Sequence, residues 1–255
     1  HTGSSAASDV YKRQPLSTSS LYVSYGFIAG NCFLISLDSI TDIHILPPCG
    51  ITYLYLVYQG FNDNMEKVRC GWCDLSSALY VAYHDNEWGV PCFEDKKLYE
   101  FIVLEGAQAG LSWITILNKR EAYRKAFDNF DYEKIAKYES HDVKRLLANP
   151  NIVRNELKIK SAINNAIAFK KVVKTYGSFS NYIWGFVDFT PLLRDWNKGN
   201  HVPPYTDLSK EVSNDMREKG FKFFGPTICY AYMQAMGLVN DHEPSCFRFA
   251  QRDLV

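Results

Sequence analysis

"EDKKLYEFIVLEGAQAG", residues 94–110, decides the fold class. Leu98, Phe101, Ile102 and Glu105 recur at i, i+3, i+4 and i+7, which is one face of a helix, and Gly110 stops the run. The period continues downstream. "SWITILNKREAYRKAF" (112–127) opens on Ser112, a residue type suited to cap free N–H groups. "SHDVKRLLANPN" (140–151) and "NELKIKSAINNAIAFKKVVKTYG" (155–177) predict two further helices, the second ended by Gly177. "TDLSKEVSNDMREKG" (206–220) starts at Thr206 or Asp207 and reaches a terminal glycine, and Pro226 suits the first position of "PTICYAYMQAMG". With no internal repeat and few β-branched alternations, residues 65–255 read as one all-α domain, with "HVPP" (201–204) as a connecting loop.

Residues 1–64 differ in kind. Their only Asp, Glu, Lys or Arg residues are Asp9, Lys12, Arg13, Asp38, Asp42 and Asp63, and the first 20 are Ser-rich and aperiodic. "LYVSYGFIAGNCFLISL" and "CGITYLYLVY" are apolar, yet both fall short of the roughly 20 apolar residues of a membrane span. A membrane tether through residues 20–60 is one alternative. The other is that "SSAASDVYKRQ" resembles a translated adapter and that the first methionine, Met65, begins the native protein. On that expectation 1–64 is translated upstream sequence and 65–255 is the domain.

The chain has 28 basic and 28 acidic residues, so it lacks the charge of a purely electrostatic nucleic-acid binder. Seven cysteines at irregular spacing make a poor disulfide framework and suit a reducing compartment. Two groups of soft ligands stand far apart. Cys70, Cys73 and His84 form one, His242 and Cys246 the other, and together they could close a four-ligand zinc site. A redox dithiol at Cys70/Cys73, or a surface histidine near a half-buried thiol, are the competing readings. Cys92 and Cys229 sit in apolar surroundings and read as core thiols.

Aromatic residues cluster around one carboxylate. "LYVAYHDNEWG" carries Tyr80, Tyr83 and Trp88, and "LEGAQAGLSW" carries Glu105, Gln108 and Trp113. A bare carboxylate in an apolar helix face is costly, so Glu105 is either paired with a lysine or functional. Tyr and Trp faces around it suit a flat cationic guest. Between two predicted helices, "ANPNIVRNELKIK" (148–160) could be an ordinary turn with a solvated basic face. It also resembles a helix–hairpin–helix, with Asn151 where a glycine is usual and Arg154, Lys158 and Lys160 available to phosphate.

"RCGW" (69–72), "YHDNEWGVP" (83–91), "LEGAQAGLSWITIL" (104–117), "GFKFFGPTICYAYMQAMGLVNDH" (220–242) and Cys246 together resemble the bacterial 3-methyladenine DNA glycosylase I family, from about Arg69 to Cys246. The resemblance implies an all-α helix–hairpin–helix DNA glycosylase domain whose N- and C-terminal segments are joined by one structural Zn2+. It carries over Cys70, His84, His242 and Cys246 as the metal ligands and leaves Cys73 out. It also implies hydrolysis of the N-glycosidic bond of 3-methyladenine in alkylated double-stranded DNA, leaving an abasic site. Glu105 matches the pocket carboxylate, Tyr83 and Trp113 the stacking residues, and Tyr80 and Trp88 the pocket walls. The family lacks the aspartate that many helix–hairpin–helix glycosylases use after the hairpin, so Asp188 is given no such role. No lysine has the setting of a Schiff-base nucleophile, which implies a monofunctional enzyme. A monomer in the bacterial cytoplasm, with no obligate protein partner and no membrane contact, completes the expectation. A zinc-stapled damage binder that releases no base is the alternative from another class.

Overall fold

The computed structural model describes residues 67–196 and 201–249, together with the backbone of 24–28, 31–35 and 44–45. The chain divides into two units, 1–66 and 67–255. The first contains an antiparallel ribbon of β1 (Ser24–Ile28), β2 (Asn31–Ile35) and β3 (His44–Ile45), in that spatial order. Tyr25 faces Leu34 in its register, and Phe33 faces Ile45. The adapter-like stretch and all of "CGITYLYLVY" lie outside the described residues. No described helix is long and apolar enough to cross a membrane.

The second unit is helical. Its helices are α1 (Ala78–Asn86), α2 (Asp95–Gln108), α3 (Trp113–Ala126), α4 (Tyr132–Ile135), α5 (Ser140–Ala148), α6 (Glu156–Tyr176), α7 (Phe179–Trp184), α8 (Asp207–Glu218) and α9 (Pro226–Ala235). The six expected from periodicity and caps are all present. Thr206 closes a capping box with Ser209 at the start of α8, and Asn155 accepts from the Lys158 N–H at the start of α6. Gly177, past the end of α6, has φ of 83°. Ser112 occupies the N-cap of α3, but its hydroxyl bonds Thr115 Oγ1 at 2.7 Å instead of a backbone N–H.

Helix α2 is the central post, packed against α3, α6, α7 and α9. Every residue from Leu98 to Ala107 is buried, so the helix has no solvent face along that stretch. Around it lie Phe169, Phe179, Trp184 and Tyr232, each fully buried. One short parallel pairing interrupts the all-α pattern: β4 (Leu192–Leu193) runs beside β5 (Val239–Asn240). It fixes the chain that leads into Asp241 and His242.

Two glycines make that approach possible. Gly237 has φ of 75°, and a Cβ there would lie 2.4 Å from Pro91 N and Val90 C. Gly89, at the same φ, would place a Cβ 2.8 Å from His242 Nε2. Both positions exclude any side chain, by backbone conformation and by contact.

Candidate functional site

The soft ligands come together. Cys70, His84, His242 and Cys246 are all buried, and one donor atom from each lies within 4.8 Å of the others. Sγ of Cys70 is 3.4 Å from His242 Nδ1, and Sγ of Cys246 is 3.5 Å from His84 Nε2 and 3.6 Å from His242 Nδ1. A tetrahedron built on bonds of about 2.3 Å to sulfur and about 2.05 Å to nitrogen has S···N edges of about 3.5 Å. These three S···N edges match that of a tetrahedral ion, and all four donors lie close enough together to hold one metal.

Outer contacts orient these donors. His84 Nδ1 lies 2.8 Å from Asp85 Oδ1, and Arg69 grips the same carboxylate at 2.8 and 2.6 Å. His242 Nε2 lies 3.2 Å from the Trp88 carbonyl, and backbone N–H groups of Glu243 and Arg248 point at the two sulfurs. Metal-free, the hydrogen bond between Cys70 and Cys246 pushes the Cys246 thiol down and the Cys70 thiol up. A bound cation would take both as thiolates. Cys73 is buried close by but stands outside the cluster.

Against the Cys–His cluster lies a cavity of about 300 Å³. Tyr80 and Tyr83 reach it from α1, Glu105 and Gln108 from α2, Trp113 from the start of α3, and Trp88 from the turn after α1. All four aromatic residues expected at the pocket thus line it, together with Glu105. Cluster and cavity share a wall: the Trp88 ring is 4.6 Å from His242 and 4.9 Å from Trp72, centroid to centroid. Tyr83 and Trp113 lie 5.3 Å apart at 51°. Stacking a base between two parallel rings needs about 3.5–4 Å on each side, so these rings offer adjoining walls and not a sandwich.

Two buried glutamates on α2 have opposite fates. Glu100 is held by Arg120 Nε at 2.6 Å and Arg124 Nη2 at 3.0 Å. Glu105 is 3% exposed, and among the described residues no hydrogen bond or ion pair reaches it. Burial alone pushes its carboxyl up to about 8. The lysine partner that a purely structural glutamate would need is absent among the described residues.

Other cavity residues were not legible: Trp72, Ala231, Gln234, Asp241, Glu243 and, from the "HVPP" loop, Val202. Trp72 and Asp241 sit inside "RCGW" and "NDH", but neither has a periodic or ligand spacing that marks it.

The hairpin differs from its reading. Asn151 is not among the described residues with positive φ; its N–H is taken by Asn149 Oδ1 at 2.9 Å, an Asx turn ahead of Pro150. Lys158 does not face outward. Its ammonium donates to Ala107 O at 2.8 Å and Ala109 O at 2.6 Å, closing the C-terminus of α2. Lys160 pairs with Glu156 at 2.7 Å. Arg154 is exposed, and no hydrogen bond or ion pair engages its side chain among the described residues. The N–H groups of Ile152 and Arg154 are likewise untaken among them.

Comparison with known proteins gives the arrangement a family. Residues 72–249 match the family model described as methyladenine glycosylase. DNA-3-methyladenine glycosylase 1 of Escherichia coli (strain K12) is 47% identical over 178 residues, 70% of this chain and 95% of that protein. A crystal structure of 3-methyladenine DNA glycosylase I superposes with a TM-score of 0.68 at 47% identity, covering 71% of this chain and 98% of that one. A variant of 3-methyladenine DNA glycosylase I in complex with 3-methyladenine gives 0.67 at 35% identity, covering 70% and 96%. With so long a match, and the buried carboxylate set in an aromatic cavity, this chain belongs to the methyladenine glycosylase family.

Proposed function

We propose that the cavity around Glu105 is the base pocket of a DNA-3-methyladenine glycosylase. The family is one of enzymes that hydrolyse N-glycosyl bonds, and 3-methyladenine in alkylated DNA is the substrate of this chain. The observation that carries the pocket assignment is Glu105: buried, without an ion-pair partner, and ringed by tryptophan and tyrosine.

Methylation at N3 places a positive charge on the purine and weakens its bond to the sugar, so departure needs no strong acid. The pocket has three tasks: to accept a flipped nucleotide, to favour the cationic base, and to admit one water. Trp113 and Tyr83 supply faces for stacking and cation–π attraction, with Tyr80 and Trp88 as the remaining walls. Glu105 accepts a hydrogen bond from the amino edge of the base. A cation beside a buried carboxyl favours its ionised form, so base entry and loss of the Glu105 proton are coupled. An ordinary neutral purine forfeits that gain.

The α5–α6 connection is the helix–hairpin–helix of this reading. The free N–H groups of Ile152 and Arg154 and the exposed Arg154 side chain face the DNA backbone, while Lys158 holds the hairpin to α2. Cys70, His84, His242 and Cys246 hold one Zn2+, which with four protein ligands has no open position and serves to fasten the ends of the domain. The protein acts as a monofunctional glycosylase, a cytoplasmic monomer without an obligate partner. Residues 65–255 form the working domain.

The test incubates methylated duplex DNA with wild-type protein and with Glu105→Gln and follows released 3-methyladenine. Wild type releases the base and the variant, folded and with its zinc, does not. Wild-type excision by Glu105→Gln removes the pocket assignment, and binding without release by the wild type makes the protein a damage binder.

A further inference from the structure

One cation is misplaced for its own helix. Lys158 lies in the first turn of α6, where the free N–H groups of the helix end disfavour positive charge. Its ammonium reaches across to α2 and donates to the carbonyls of Ala107 at 2.8 Å and Ala109 at 2.6 Å. Helix α2 has no basic residue in its own last turn, so its terminal carbonyls take their cation from this distant segment.

The contact joins two parts of the site. On one side, Gln108 lies between the two carbonyls and lines the cavity, and Trp113, another wall, starts α3 just beyond. On the other side, Lys158 closely follows the α5–α6 hairpin. Helix α3 makes the reverse contacts. Its Lys119 donates to Pro150 O at 3.4 Å and Asn151 O at 3.3 Å, and its buried Tyr123 hydroxyl accepts the Val153 N–H at 3.2 Å. The hairpin and the α2–α3 corner are tied in both directions. The Val153 N–H is spent on the tie, while those of its neighbours Ile152 and Arg154 have no taker among the described residues.

We infer that Lys158 is a positioning residue for base excision: it holds the Gln108–Trp113 corner of the pocket at a fixed distance from the hairpin that grips the DNA backbone. The inference rests on the glycosylase reading, hairpin included. A flipped nucleotide stays joined to its phosphates, so its base enters the pocket in register only if grip and pocket keep their spacing. A misplacement of about 1 Å is enough to cost up to about 100-fold in rate. The free base carries no such tether and binds the pocket wherever the hairpin stands.

Lys158→Met removes the ammonium and keeps an apolar stem. With the variant folded and assayed well below its melting temperature, single-turnover release of 3-methyladenine from methylated duplex at saturating protein should fall roughly 10-fold or more. The Kd for free 3-methyladenine should stay within about twofold of wild type, because the pocket itself is intact. The salt dependence of duplex binding should keep its wild-type slope, which loss of a phosphate-binding lysine would reduce by about 1. A wild-type rate overturns the inference. So does a loss of free-base affinity as large as the loss in rate, which makes Lys158 a support of the pocket alone. A lowered salt slope overturns it too, by making Lys158 a phosphate ligand.

Should Lys158→Met fail to fold, Tyr123→Phe loosens the same tie from α3. It frees the Val153 N–H and should slow release several-fold with free-base affinity intact, and an unchanged rate there sinks the inference as well. Wild-type protein that releases no base would instead remove the glycosylase reading, and wild-type duplex affinity in Arg154→Ala would remove the hairpin from it. Each failure is distinguishable from the others.

Discussion

Glu105→Gln should make the protein more stable, and increasingly so as the pH rises. Burial lifts the Glu105 carboxyl from 4.5 to about 8 without any partner to offset it. Between those values the folded protein keeps a proton that the unfolded chain has released. Stability carried by the protonated group is therefore complete below pH 4.5 and is lost as the pH climbs through 8. Glutamine is a neutral side chain of the same shape and escapes the loss. At about 1.4 kcal/mol per pH unit, its advantage is about 1 kcal/mol at pH 5, about 3 at pH 7 and nearly 5 at pH 9. Urea unfolding of zinc-loaded wild type and variant at those three pH values measures it. A gap that stays constant between pH 5 and pH 9 would refute the reasoning. So would a variant less stable than wild type throughout, because Glu105 would then be ionised and held by favourable contacts. A buried carboxyl without a partner is held in place against the preference of the fold.

The cysteines separate the metal site from its neighbour. Cys70→Ser should lose zinc and melt well below wild type, while Cys73→Ser should keep both, since its sulfur stands outside the cluster; metal analysis and thermal melts read the difference, and zinc loss in Cys73→Ser would reverse the assignment. Trp113→Ala should weaken binding of free 3-methyladenine by about 1–3 kcal/mol, roughly 5- to 100-fold, and titration calorimetry returning an unchanged Kd would exclude stacking on that ring. Gly237→Ala places a methyl 2.4 Å from backbone at φ of 75° and should cost about 2 kcal/mol or more in urea unfolding.

Much of the fold was legible because it is encoded locally. Thr206, Asn155, Gly177, Gly220 and Pro226 mark helix ends by their own conformational preferences, and the helices begin and stop at them. Helix α1 escaped notice: "ALYVAYHDN" carries aromatic and polar residues with no apolar stripe, because half of it serves the cavity and the metal cluster. The short α4 and α7 are held by packing more than by propensity. Lys158 was misread for a related reason. A lysine in a basic run looks solvated, and only its contact with two carbonyls at the end of α2 shows it to be a strut.

What the sequence determined by itself is the helical class, the chemistry of the four soft ligands and the oddity of a glutamate in an apolar run, all properties of residue type and short spacing. Only the tertiary structure decided that Cys70 meets Cys246 across the domain, that Glu100 is paired while Glu105 is not, and that Asp241 joins the lining of the same cavity. Pairing, burial and convergence depend on which distant segments pack together. Steric facts such as the close pass of Gly237 over Val90 and Pro91 decide that, and no local spacing records it.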